Sequence, residues 1–154
     1  MTRAAAAQDV ASLAAPLNGQ HPAAYYQEAA RLLQAGQREQ AVFVFYLGQL
    51  RYRTHLAARP DMPRDGDPAL FASLSETIGR PINEYAFGDM PAVLRTLDAV
   101  AAYDQQNPDR FTDPAAFAEA TRRTRDGMVR FRANLASRAA EIRRTRAENG
   151  LENR

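Results

Sequence analysis

Residues 21–57 constrain the fold more than any other stretch. They hold the densest apolar run of the chain, Val42-Phe43-Val44-Phe45-Tyr46-Leu47, and they read as two helices joined by a tight turn. The first helix opens at Pro22, a favoured first-turn residue because its missing N–H is not needed there. Tyr25, Ala29, Leu32 and Leu33 then recur at helical spacing. Gly36 suits the position just past the helix end, where a left-handed backbone is required. The second helix is expected from about Arg38 to Ala58. Ala41, Val42, Phe45, Gly48, Gln49 and Tyr52 make one face, and Val44, Leu47 and Leu56 widen it, so the helix is expected to be buried on most sides. Gly48 in mid-helix costs about 1 kcal/mol relative to Ala, and a close helix crossing at that point would offset the cost.

The remaining segments follow the same logic. Residues 59–67 form a polar loop, and Asp67-Pro68 opens a third helix with Asp as N-cap and Pro at the first helical position. Leu70, Phe71, Leu74 and Ile78 make its stripe, and Gly79 with Pro81 is expected to stop it. Residues 82–87 are ambiguous between a helical turn and an extended piece. Asp89 is expected to cap a fourth helix, with Val93, Leu94, Leu97 and Val100 buried and Asn107-Pro108 ending it. Asp113-Pro114 opens the longest helix, to about Glu148, whose apolar stripe includes Phe117, Met128, Phe131, Leu135 and Ile142, with Val129 off the stripe. No segment alternates like a strand. The expected fold is therefore all-α, a compact bundle of about five helices with a long amphipathic C-terminal helix and no Rossmann-type crevice. Residues 1–20 are expected to be a partly flexible N-terminal segment, with a short helix around Leu13 and Leu17, and residues 21–150 a single helical domain.

Composition narrows the function classes. The chain has no Cys, which removes disulfides, thiolate chemistry and Cys-based zinc sites. Two separated histidines argue against a His-rich metal site, so no metal and no cofactor are expected. The longest apolar run is far short of the roughly 18 residues of a membrane span. The Ala4–Ala7 run resembles the tail of a signal peptide. The chain as given reads as cytoplasmic, with a periplasmic location as the alternative if that run is the remnant of a leader. Every basic side chain is Arg, a coding bias that points to a GC-rich bacterial source. Charge is unevenly placed: residues 1–120 carry ten Arg against fourteen acids, whereas residues 121–154 carry ten Arg against four.

Residues 25–45 resemble a tetratricopeptide-type helix pair, and Sel1-like repeats fit about as well. Tyr25, Ala29 and Leu32 match the first helix of that motif, Gly36 the turn, and Ala41 with Phe45 the second helix. Glu28 stands where the motif wants Leu, and Arg53 where it usually closes with Pro. The likeness covers one hairpin and has no second copy. It implies binding to another protein rather than catalysis.

No phosphate loop, Ser–His–Asp pattern, HExxH or calcium loop is present. His55 reads as a surface histidine near a helix C-terminus, where positive charge is favoured, and His21 as a helix-start residue. Gln49, Arg51 and Arg53 could line a groove for an acidic or C-terminal carboxylate partner, because guanidinium forks pair with carboxylates. Glu84 and Tyr85 bring polar and aromatic groups together in the stretch before Asp89. The expectation is a non-catalytic protein-binding module, such as an adaptor or an immunity-type (toxin-neutralising) protein. Its expected binding residues are Tyr26, Gln49, Arg51, Arg53, Glu84 and Tyr85, with no catalytic residue. The alternatives are nucleic-acid binding by the Arg-rich C-terminal helix, or an enzyme with a carboxylate site near Glu84.

Overall fold

The computed structural model describes residues 9–154, and the Ala4–Ala7 run lies outside the described residues. All regular structure among the described residues is helical. Helix α1 covers Val10–Ala14 and runs into a 3-10 turn at Ala15–Leu17. Helix α2 (Ala23–Gln34) and helix α3 (Arg38–Ala58) form the expected hairpin. Its turn is set by Gly36, whose φ is 81°. There Gln37 N–H donates to the Leu32 carbonyl at 2.9 Å and Gly36 N–H to Leu33 at 3.1 Å, which satisfies the helix end.

Helix α3 is the axis of the molecule, packed against α2 on one side and against later helices on the others. Its residues from Ala41 to Gly48 are all buried, as the apolar run dictates. At Gly48 the two helices of the hairpin meet so closely that a Cβ there would lie 2.4 Å from Tyr25 Cβ. Only glycine permits that crossing. Leu13, Ala14 and Leu17 belong to the same core, so the packed body starts before residue 21.

The third helical region departs from expectation. Helix α4 (Asp67–Leu74), a π-turn (Ser75–Gly79) and helix α5 (Arg80–Ala86) follow one another without a loop. Pro81 lacks the N–H that a regular helix would use to reach back one turn, and the wider π-turn accommodates its ring instead of ending the helix. Gly79 serves packing there: a Cβ would sit 3.0 Å from the Phe45 ring. Residues 82–86 are therefore helical, and Glu84 stands on a helix rather than in a loop. Asp67 is the first helical residue, not the N-cap, and Gly66 precedes it. Asp89 does cap helix α6 (Met90–Gln106), its carboxylate accepting from Ala92 N–H at 3.1 Å.

The expected long C-terminal helix is two. Helix α7 covers Ala118–Ser137 and helix α8 covers Ala139–Glu148, with a break at Arg138. The Ser137 hydroxyl takes the Asn134 carbonyl at 2.9 Å, a side-chain bond that competes with the helical ladder beside the break. The start is also later than Asp113-Pro114. Residues 109–117 form turns instead, with Asp109 Oδ1 accepting from Phe111 N–H at 2.8 Å and Thr112 N–H at 3.2 Å. No helix of the described residues is long and apolar enough to cross a membrane.

Candidate binding groove

Helices α3 and α7 border a groove of about 520 Å³, walled on the third side by Phe71 of α4. That volume lies in the range of ligand-binding clefts. Leu50 and Leu56 of α3, Phe71, and Met128 with Phe131 of α7 make an apolar floor. Three guanidinium groups stand around it: Arg53 from α3, and Arg123 and Arg130 from α7. Arg53 lies over the Phe71 ring, 5.3 Å from its centre. None of the three makes a hydrogen bond or an ion pair among the described residues.

Their neighbours differ. Arg122 pairs with Glu119 and Asp126, Arg125 with Asp104, Arg132 with Asp98, and Arg138 with Glu141. Arg146 is tied to the Glu152 carbonyl and to Asn153. Four of the ten arginines beyond residue 120 are thus paired with carboxylates. Among the described residues of this segment, Arg123 and Arg130 at the groove and Arg143 and Arg144 on α8 pair with no carboxylate.

Between Arg123 and Arg130 lies Gly127, half-buried in the groove wall. A Cβ at this position would meet nothing closer than an Arg130 guanidinium nitrogen at 3.8 Å. Its φ is negative. Neither packing nor backbone conformation requires glycine here, although it costs an α-helix about 1 kcal/mol relative to Ala.

Gln49 and Arg53 line this groove. Arg51 does not. Successive helical residues turn by about 100°, so positions 51 and 53 face nearly opposite ways. Arg51 is directed inward and is 1% exposed. Tyr26 is also fully buried, its ring set edge-on to Phe45, Tyr52 and Phe71. Burial pushes the Tyr26 hydroxyl well above its ordinary pKa. Neither side chain is open to a partner. Glu84 is exposed, but it and Tyr85 lie on α5, away from the groove lining. Tyr85 is engaged internally: its hydroxyl donates to Glu39, and the Arg154 guanidinium stacks 3.9 Å above its ring.

Arg123, Gly127 and Arg130 went unread in the sequence. Their only signal is spacing: four and three residues apart, they share one face of a helix in which arginine is otherwise everywhere.

A second cluster joins three segments. His55 is 4% exposed, not a surface residue, and its Nε2 lies 2.7 Å from Asp67 Oδ2. His21 Nε2 lies 3.0 Å from the same oxygen. The Phe111 ring packs edge-on against both imidazoles, 5.3 and 5.2 Å away. The carboxylate beside His55 comes from Asp67, twelve residues later in the sequence. Burial and the nearby Arg59 charge push the His55 pKa down, against the pull of Asp67. Hydrogen bonds from the two imidazoles hold the Asp67 carboxyl below its usual range.

These three residues are the one group among the described residues whose donor atoms could surround a metal ion. The hydrogen bonds on the far side of each ring oppose that use. His21 Nδ1 accepts from Ala23 N–H at 3.0 Å, and His55 Nδ1 accepts from the Arg59 guanidinium at 2.8 Å. Each neutral ring therefore carries its proton on Nε2 and donates it to Asp67. A metal-bound histidine wants the reverse, a free Nε2 lone pair and an acceptor beside Nδ1. The residues do not fit a metal. With both Nδ1 lone pairs engaged, neither ring has a lone pair free to act as a general base. The arrangement instead clasps the start of α4 to the start of α2 and the end of α3.

The chain matches no family model, no curated protein and no solved structure.

Proposed function

We propose that this chain is a non-catalytic protein-binding module whose α3–α7 groove receives an acidic, partly apolar segment of another protein. One observation carries the reading: among the described residues, Arg53, Arg123 and Arg130 stand without carboxylate partners around an apolar floor. An apolar floor gains by burial, at roughly 25 cal/mol per Å² removed from water. Unpaired guanidinium groups select carboxylates by forked hydrogen bonds. An acidic segment with apolar anchors satisfies both. Adaptor and immunity-type roles both suit such a surface on a small chain, and in the second the partner is a secreted toxin.

The test is retention of a partner from native lysate on immobilised protein, at low and moderate salt. The wild type is compared with the Arg123→Ala/Arg130→Ala variant. One protein held in a defined ratio at both salts by the wild type, and lost by the variant, supports the reading. Nucleic acid retained only at low salt would replace it with the nucleic-acid reading. Retention that the double variant leaves intact would move the interface elsewhere.

A further inference from the structure

Two glycines sit in mid-helix, Gly48 on α3 and Gly127 on α7, and they behave differently. Gly48 is demanded by a helix crossing within the chain, where a Cβ would collide with Tyr25. Gly127 has the same setting, mid-helix with a negative φ, but the space before it is open. Glycine in a helix sacrifices stability and is retained where another backbone must come close. Among the described residues no element crosses close to Gly127. On either side of it, Arg123 and Arg130 project from the same face two turns apart, about 10 Å along the axis. Both are unpaired among the described residues.

From this geometry we infer that the groove takes an α-helix of the partner, crossing α7 at Gly127, with two acidic side chains spaced i and i+7 set against Arg123 and Arg130. This rests on the protein-binding reading of the groove and specifies its occupant. The partner's apolar stripe lies on Leu50, Phe71, Met128 and Phe131, in the manner of an amphipathic helix laid in a groove. A small or flat residue at the partner's crossing point brings the two backbones together. Arg53, on the opposite wall, meets a third carboxylate or the partner's C-terminal carbonyls, where a helix is partially negative.

The experiment uses full-length protein and a dye-labelled amphipathic peptide about five turns long. Its apolar stripe is flanked by glutamates spaced i and i+7. Two controls replace those glutamates by glutamine, or place a proline in mid-sequence to break the helix. Fluorescence anisotropy gives the affinity, and thermal melting confirms that each variant is folded. The expected result is micromolar binding by the wild type, weakened about tenfold or more by Gly127→Leu and lost by Arg123→Ala/Arg130→Ala. Gly127→Ala weakens binding by a smaller factor while raising the melting temperature. Loss of binding in the arginine variant with full binding by Gly127→Leu overturns the helix crossing and leaves the acidic-groove reading standing. Equal binding of the proline-broken peptide overturns it as well. Failure of the glutamate peptide to bind wild-type protein overturns the crossing, and the lysate experiment then decides the groove reading independently.

Discussion

Arg51 and Asp104 form a buried ion pair: Arg51 Nε donates to Asp104 Oδ1 at 3.0 Å, and the two residues are 1% and 5% exposed. The pair is the centre of a wider node. Arg51 also donates to Asn18 Oδ1 at 2.6 Å, to the Tyr25 hydroxyl at 3.0 Å and to the Asn107 carbonyl at 2.5 Å. Arg125 of α7 takes the other carboxylate oxygen at 2.7 Å. One guanidinium thus ties the loop before α2, helix α2 and helix α6 to α3, and Asp104 carries the connection on to α7.

Arg51→Ala is therefore a stability variant rather than a binding variant. It leaves Asp104 with half its partners and deprives the Tyr25 hydroxyl, Asn18 and the Asn107 carbonyl of their donor. Breaking a buried pair by removing one side costs about 3–5 kcal/mol. At this chain length that is a fall of about 6–20 °C in melting temperature. Arg53→Ala, two residues on but facing the groove, should cost no more than about 0.5–1 kcal/mol, the worth of its exposed contact with the Phe71 ring. Thermal unfolding of the two variants side by side checks both statements. Similar losses in both would show that Arg53 also supports the fold.

The two helical glycines should respond to alanine with opposite signs. Gly48→Ala places a Cβ 2.4 Å from Tyr25 Cβ, so the α2–α3 hairpin must spread. Overpacking of this kind costs about 1–3 kcal/mol or more, and the gain in helix propensity is smaller. Gly127→Ala meets open space and should stabilise by about 0.5–1 kcal/mol. Urea unfolding with unchanged slope reads the two directly. Destabilisation by Gly127→Ala would mean that the glycine answers a constraint within the chain itself.

The helical class and the central hairpin were legible because they rest on local patterns. The Val42–Leu47 run, Gly36 past a helix end and Gly48 at a crossing each state their reason within a few residues. The misreadings share a cause: a local rule was overridden by a contact distant in sequence. Asp67 before Pro68 has the form of an N-cap, but its carboxylate is claimed by histidines 46 and 12 residues away. Pro81 has the form of a stop, but a π-turn carries the chain past it. Arg51 and Arg53 read as a pair in sequence and are separated by helical rotation. The groove was legible only on its α3 side, through Gln49 and Arg53. Its α7 side depended on which arginines find carboxylates, and Asp104 and Asp98 lie on another helix.

The C-terminal residues should contribute to stability through Tyr85. Arg154 stacks on the Tyr85 ring and donates to the Tyr85 carbonyl at 2.8 Å, while its own N–H reaches the Gly88 carbonyl at 2.6 Å. A cation–π contact that is partly exposed contributes about 0.5–1 kcal/mol. Arg154→Ala should lower stability by at least that amount, because it also loses the bond to the residue-85 carbonyl, and in Tyr85→Leu the same substitution should cost about 0.5–1 kcal/mol less. A double-mutant cycle by urea unfolding measures the coupling. Additive effects would show that the two groups do not act together.

Acidification should weaken the fold through the His21–Asp67–His55 clasp. Burial and the Arg59 guanidinium depress the His55 pKa in the folded state, so between its ordinary value of about 6.5 and the folded value the unfolded chain binds more protons. Stability rises with pH wherever the unfolded state is the better proton binder. The contribution of His55 is complete above about pH 6.5 and is lost as pH falls through that window. Protonation also forces a proton onto Nδ1, against the Arg59 donor at 2.8 Å. Asp67, whose folded pKa is lowered, acts in the same direction at lower pH: its contribution is present above the ordinary carboxylate value and disappears as pH falls through the folded one. Asp109 opposes them, because burial raises its pKa and acid relieves the cost of its charge. Melting temperature measured from pH 7.5 down to about pH 4.5 should therefore fall below about pH 6.5 in the wild type. In His55→Gln, which has no proton to gain in that range, the fall should be shallower. Equal slopes in the two proteins would show that the imidazole does not resist protonation in the folded state.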